Sequence, residues 1–76
     1  METFNYELDD EPQMTTEREM TPVQILTKGE IDPAKNYLVQ IEGEKQVSYK
    51  DTPEVPIHMH NKMEFISVSI KPTEVS

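Results

Sequence analysis

Phe4, Tyr6 and Leu8 alternate with Asn5 and Glu7, the period-two pattern of a strand with one buried face. Asp9-Asp10-Glu11-Pro12 interrupts that pattern with turn-forming residues. Gln13 to Glu19 is polar, with Met14 and then Met20 as its apolar markers. It is expected to form a second strand, antiparallel to the first, so the chain opens on a hairpin.

The pattern then changes period. Thr21 is placed to cap a helix, and Pro22 falls at the first helical position, where its missing N–H costs nothing. Gln24, three residues after Thr21, completes a capping box, and Met20 and Ile25 occupy the positions of a hydrophobic staple. Val23 and Leu26 continue the apolar stripe, and Gly29 is expected to end the helix in a left-handed conformation. A helix of about two turns has no stability of its own in water, so it must lie on a sheet.

Strand patterns return after Asp32-Pro33-Ala34-Lys35-Asn36, which reads as a connecting turn. Tyr37-Leu38-Val39-Gln40-Ile41 is nearly all apolar and predicts a central strand. Glu42-Gly43-Glu44 makes a tight turn into Gln46-Val47-Ser48-Tyr49, an alternating outer strand. Lys50 to Val55 is charged, holds Pro53 and reads as a loop. Pro56 to Asn61 is a second connection, with room for one helical turn. The final strand starts at Met63 and its alternation is imperfect. Met63 and Phe65 share one face and Ile66, Val68 and Ile70 the other, so a bulge switches faces or the strand is buried on both sides.

The order strand, strand, helix, strand, strand, strand belongs to the α+β class. Crossover rules favour the last strand beside the first, in the middle of a mixed sheet of about five strands curled around the helix. That layout is the β-grasp. It assigns residues 1–70 to one domain and leaves 71–76 as a carboxyl-terminal tail.

Composition narrows the function classes. Seventy-six residues suffice for one small domain, and a chain this short buries only about 60% of its unfolded surface. Without cysteine there is neither a disulfide nor a thiolate zinc site. No apolar run approaches the roughly 18 residues of a membrane span, and Met1-Glu2-Thr3 carries no signal-peptide pattern, which predicts a cytoplasmic protein. Fifteen carboxylates against seven Lys and Arg residues give a net charge of −8, a surface that repels phosphate backbones and argues against nucleic acid. The same charge suits solubility, or a protein partner with a basic face.

The chain resembles the bacterial ubiquitin-like proteins of the multiubiquitin family. The resemblance rests on Met20-Thr21-Pro22-Val23-Gln24-Ile25-Leu26, on Asn36-Tyr37-Leu38-Val39-Gln40-Ile41, on Met63-Glu64-Phe65-Ile66-Ser67-Val68 and on Pro72-Thr73-Glu74-Val75-Ser76. It covers most of the chain beyond Phe4. It implies a ubiquitin-like fold and a role as a protein modifier conjugated to targets through its carboxyl terminus. The implied partners are ubiquitin-activating-like and conjugating-like enzymes, a JAB-type or other processing protease, and the target proteins. Some related systems are linked to antiphage defence. No cofactor is implied for the modifier itself.

By that resemblance, Pro72, Thr73, Glu74, Val75 and Ser76 form the conjugation tail. They depart from the two terminal glycines of eukaryotic ubiquitin-like proteins: the sequence closes on Glu74-Val75-Ser76, with a β-branched residue and no glycine. Either the tail is trimmed before use, or the enzymes accept a wider terminus, or the chain is not conjugated. A sulfur carrier, which needs a terminal thiocarboxylate normally borne on Gly-Gly, fits this ending less well. The alternative from another class is a non-covalent β-grasp adaptor, binding a partner through its acidic surface, its sheet face or an edge strand.

Other chemistry is thin. His58-Met59-His60 places two imidazoles on one side of an extended segment, but no third ligand is evident, and packing or hydrogen bonding is the expected role. Met59 and Met63 are expected to fill core gaps. No nucleophile sits with a base, so catalytic activity is not expected. Leu38, Val47, Tyr49 and Val68 are the candidates for a partner-binding patch on the exposed sheet face, with burial in the core as the competing expectation.

Overall fold

The computed structural model describes residues 2–70. Its elements are β1 (Phe4–Leu8), β2 (Glu11–Thr15), β3 (Glu19–Met20), α1 (Pro22–Lys28), β4 (Asn36–Glu42), β5 (Lys45–Ser48), β6 (Ile57–His58) and β7 (Met63–Ser69). Five strands form one mixed sheet in the order β2-β1-β7-β4-β5, and β3 and β6 form a separate two-stranded ribbon. β7 runs parallel to β1 and antiparallel to β4, so the last strand takes the middle of the sheet. The fold is α+β and β-grasp-like.

The first hairpin is tighter than expected. Only Asp9 and Asp10 form the turn, both at positive φ (53° and 67°), a two-residue connection whose twist suits antiparallel strands. Glu11 and Pro12, expected in the turn, belong to β2, which ends at Thr15 rather than Glu19. Proline is tolerated there because β2 is an edge strand. Glu19 and Met20 instead pair with His58 and Ile57. The 56–61 connection is therefore a strand segment and not a helical turn.

The helix start is as read. The Thr21 hydroxyl accepts from the Gln24 N–H at 3.1 Å, and the Gln24 side chain accepts from the Thr21 N–H at 2.9 Å. Met20 and Ile25 are both buried. The helix end differs. Gly29 sits at φ −85°, and Glu30 is the left-handed residue at φ 64°. The N–H groups of Glu30 and Ile31 bond to the carbonyls of Thr27 and Leu26, a Schellman closure. The glycine serves another purpose: a Cβ at Gly29 would lie 2.5 Å from Leu8 Cδ2. The bare backbone lets the helix end settle onto β1.

The core lies between α1 and one sheet face, with the small ribbon closing one side. Tyr6, Leu8, Ile25, Leu26, Leu38 and Phe65 anchor it, joined by Met20, Ile57, Met59 and Met63. Tyr6 and Phe65 meet edge to face, with ring centroids 5.8 Å apart. The β4–β7 ladder runs without a break from Asn36↔Ser69 to Ile41↔Glu64. No bulge interrupts that ladder: Met63 and Phe65 face the helix, while Ile66 and Val68 stay half-buried on the other side. β4, expected as the central strand, is interior but lies one place from the middle.

Candidate functional site

Two regions carry the functional expectations, the end of β7 and the sheet face turned away from the helix. At the end of β7, the Ile70 N–H donates to the Lys35 carbonyl at 2.8 Å, fastening the strand end to the turn before β4. Ile70, Tyr37, Tyr49, Pro22, Pro33 and Pro53 border a small cavity of about 160 Å³ there. Pro72, Thr73, Glu74, Val75 and Ser76, the expected conjugation tail, lie outside the described residues.

Pairing register decides which side chains share a face, because residues directly opposite one another across two strands point the same way. Leu38 lies opposite Ser67, Gln40 opposite Phe65 and also opposite Val47, and Tyr37 opposite Val68. The expected patch of Leu38, Val47, Tyr49 and Val68 is thereby split. Leu38 is 0% exposed and belongs to the core. Val47 shares the helix-facing side with it. So does Tyr49, whose N–H bonds to the Leu38 carbonyl and whose ring packs against the core. Only Val68 is on the outer face. Leu38-Val39-Gln40-Ile41 shows no alternation, and so hid which of its residues point outward.

Tyr49 has an inward role. Its hydroxyl donates to Gln40 Oε1 at 3.0 Å, and Gln40 Nε2 donates to Glu42 Oε2 at 3.0 Å. This chain satisfies a glutamine that is only 5% exposed. Burial, and then the nearby Glu42 charge, push the Tyr49 phenol above its ordinary pKa.

The outer face carries a different apolar strip. Tyr37, Val39 and Ile41 alternate along β4, and Ile66 and Val68 along β7, with Val39 opposite Ile66. Val39 is 6% exposed yet outside the main core cluster, so its burial comes from neighbours on this second face. The Lys50 ammonium lies over the Tyr37 ring, 5.7 Å from its centroid, at one end of the strip. At the other end, Glu7 of β1 is the Cα partner of Glu64 of β7. Both carboxylates border an open cleft of about 410 Å³, together with Asn5, Pro12 and Lys62. Tyr37, Val39, Ile41 and Ile66 were missed as candidates. Only the register of β4 against β7 marks them, because Leu38 leaves the sequence of β4 without a clear alternation.

The histidines stand apart from each other's chemistry. His58 Nε2 lies 3.5 Å from Glu19 Oε2 across the β3–β6 ribbon, on an exposed surface. His60 Nδ1 lies 3.2 Å from the Asn61 carbonyl oxygen. Met59 and Met63 fill the core. Among the described residues, no group of three His, Asp or Glu side chains is placed to hold a metal ion, and no helix is long and apolar enough to cross a membrane. Comparison of this chain with known protein families, curated proteins and solved structures returns no match.

Proposed function

We propose that this chain is a ubiquitin-like protein modifier, activated at a carboxyl-terminal carboxylate and joined to target proteins by partner enzymes. The observation that carries the reading is the β-grasp-like order itself. β7, the last described strand, occupies the middle of the sheet, parallel to β1 and antiparallel to β4, and ends at Ser69. The resemblance to the multiubiquitin family agrees with this, and with an ATP-containing, cytoplasmic setting and a pathway of the kind linked to antiphage defence.

The chemistry asks little of the domain. The carboxylate attacks the α-phosphorus of ATP on an activating enzyme and displaces pyrophosphate. An enzyme nucleophile then takes the acyl group and releases AMP. A target amine displaces that nucleophile, losing a proton as the amide forms. The modifier supplies a folded body and an accessible carboxylate, before or after trimming by a protease.

The test is intact-mass and peptide mass spectrometry of the tagged protein from its native host. Adducts linked through a residue at or near Ser76, lost on deletion of Thr73 to Ser76 while the fold persists, support the modifier. A single unmodified mass, with partners recovered only under native conditions, overturns it in favour of a non-covalent adaptor. The apolar strip on the outer sheet face is the observation favouring that second reading.

A further inference from the structure

The small cavity at the end of β7 has a chemistry opposite to that of the chain as a whole. The sequence holds fifteen carboxylates against seven Lys and Arg residues. Among the described residues, no carboxylate borders this cavity, and its one charged neighbour is Lys50. The walls are mainly apolar or aromatic, with Pro22, Pro33, Pro53, Tyr37, Tyr49 and Ile70 among them. Two polar groups on the border are engaged within the fold: the Tyr49 hydroxyl donates to Gln40 Oε1 at 3.0 Å, and Asn36 Nδ2 donates to the Asp32 carbonyl at 3.1 Å. Lys50 makes no ion pair among the described residues. Its ammonium stands over the Tyr37 ring, 5.7 Å from the centroid.

Backbone hydrogen bonds hold these walls in place. The Val23 N–H donates to the Pro53 carbonyl at 3.0 Å and ties the loop after β5 to the first turn of α1. The Tyr49 N–H donates to the Leu38 carbonyl at 2.9 Å, and the Ile70 N–H to the Lys35 carbonyl at 2.8 Å. Three wall residues are prolines, whose rings fix φ. A site preformed in this way loses little freedom when a ligand enters. The volume of about 160 Å³ sets the ligand's size, because an apolar cavity of about 150 Å³ holds one benzene ring.

We propose that this cavity binds a small molecule, a monocyclic aromatic carboxylate. The ring lies against the tyrosine and proline faces, and the carboxylate meets the Lys50 ammonium. Size limits the occupant to one ring, and charge selects the substituent. A cationic ring is drawn by the net charge of −8 but sets its own charge beside Lys50. A neutral ring leaves the ammonium without a counter-charge. An ammonium has three N–H donors, so it can stay over Tyr37 and still donate to a carboxylate. The apolar walls supply the contact, and Lys50 supplies the preference for an anion. The site is built from helix, loop and turn at one end of the sheet and does not rest on the conjugation reading.

The experiment uses the full chain, labelled with nitrogen-15, and three probes of nearly one shape: anionic benzoate, neutral benzamide and cationic benzamidinium. A ligand this small is expected to bind with a dissociation constant on the order of millimolar. The expected result is saturable amide shifts around Tyr37, Tyr49, Lys50 and Ile70. Benzoate binds about fivefold tighter than benzamide, the upper range for one solvated ion pair, and benzamidinium binds weakest. Nonspecific attraction to an acidic chain gives the reverse order. Lys50→Met keeps the stem, removes the charge and abolishes the preference for benzoate. Lys45→Met makes the same change on β5, away from the cavity, and preserves it. Both lysines are exposed, so neither substitution disturbs the core. Val23→Phe adds bulk at the cavity border and weakens benzoate and benzamide alike. Retained amide spectra show that each variant is folded. Five results overturn the proposal: benzamide or benzamidinium binding as tightly as benzoate, a preference that survives Lys50→Met, a preference lost in Lys45→Met as well, shifts away from this cavity, or no saturable shift at tens of millimolar benzoate.

Discussion

The carboxylate of Asp9 grips Ser67 twice, accepting from its N–H at 2.8 Å and its hydroxyl at 2.6 Å, across 58 residues of chain. The Asp9 N–H meanwhile donates to the Phe65 carbonyl. β1 turns away at Asp9, so its backbone cannot continue pairing with β7. The side chain takes over where the main chain leaves off, and the opening hairpin is clipped to the middle strand.

Asp9→Ala therefore removes two charge-assisted bonds and also places alanine at φ 53°. The expected loss is about 2 kcal/mol, kept moderate by solvent exposure of the pair. Asp9→Asn tolerates the left-handed conformation and retains an acceptor, and is expected to lose about half as much. Urea denaturation of the two variants, with Ser67→Ala as the third arm of a double-mutant cycle, checks this. Additive losses for Asp9→Ala and Ser67→Ala in the double variant would show the hydroxyl contact to be energetically idle, since the Ser67 N–H remains a donor in Ser67→Ala.

Gly29 and Glu30 exchange the roles that their residue types suggest. Gly29→Ala pushes a methyl group into buried Leu8 without meeting a φ constraint, and should cost about 1–3 kcal/mol by overpacking. Glu30→Gly relieves a left-handed glutamate and should stabilise by up to about 1 kcal/mol. Thermal unfolding of both variants gives the signs directly. Equal destabilisation by both would contradict the assignment.

The same pair shows what was legible in the chain and what was not. The helix start was readable because a capping box is local: Thr21, Pro22 and Gln24 specify it within four positions. The strand alternation of Phe4, Tyr6 and Leu8 was readable for the same reason. The role of Gly29 was not, because it depends on Leu8, a residue far away in sequence. β3 and β6 are two residues each and too short to show any period. The outer strip was hidden because Leu38 and Gln40 are as buried as Val39, so β4 reads apolar on both faces and only its register against β7 separates them.

Tyr6 is 2% exposed, and its hydroxyl has no hydrogen-bond partner. Leaving such a group unsatisfied costs about 1–3 kcal/mol, so Tyr6→Phe should stabilise the fold while keeping the edge-to-face contact with Phe65. Burial raises the Tyr6 pKa above 10.0 in the folded state, and Tyr49 shifts the same way. Both groups thus hold their protons more tightly when folded. The stability they contribute is complete below pH 10 and is lost as pH rises through their folded-state values. Chemical denaturation from pH 9 to 11.5 should show falling stability in the parent protein, and a shallower fall in Tyr6→Phe. An unchanged slope in that variant would remove Tyr6 from the account.

Pro12 guards the β2 edge. Leu8 and Glu11 close the two-residue turn as a hydrogen-bonded pair, and bonded and non-bonded pairs alternate from there. Glu7↔Pro12 is consequently a non-bonded pair, and the Pro12 nitrogen faces away from β1, toward open solvent. Any other residue would present an N–H at that point, extending a row of free backbone groups that another chain could pair with. Pro12→Val is expected to leave the hairpin intact, since no bond to β1 is lost or gained. It should nevertheless raise self-association, read by light scattering as mass increasing with concentration where the parent protein shows less. Pro12→Lys restores an N–H but adds a charged side chain to the edge, and should lie between the two. A Pro12→Val protein with the parent's association behaviour would mean that net charge alone keeps this edge apart.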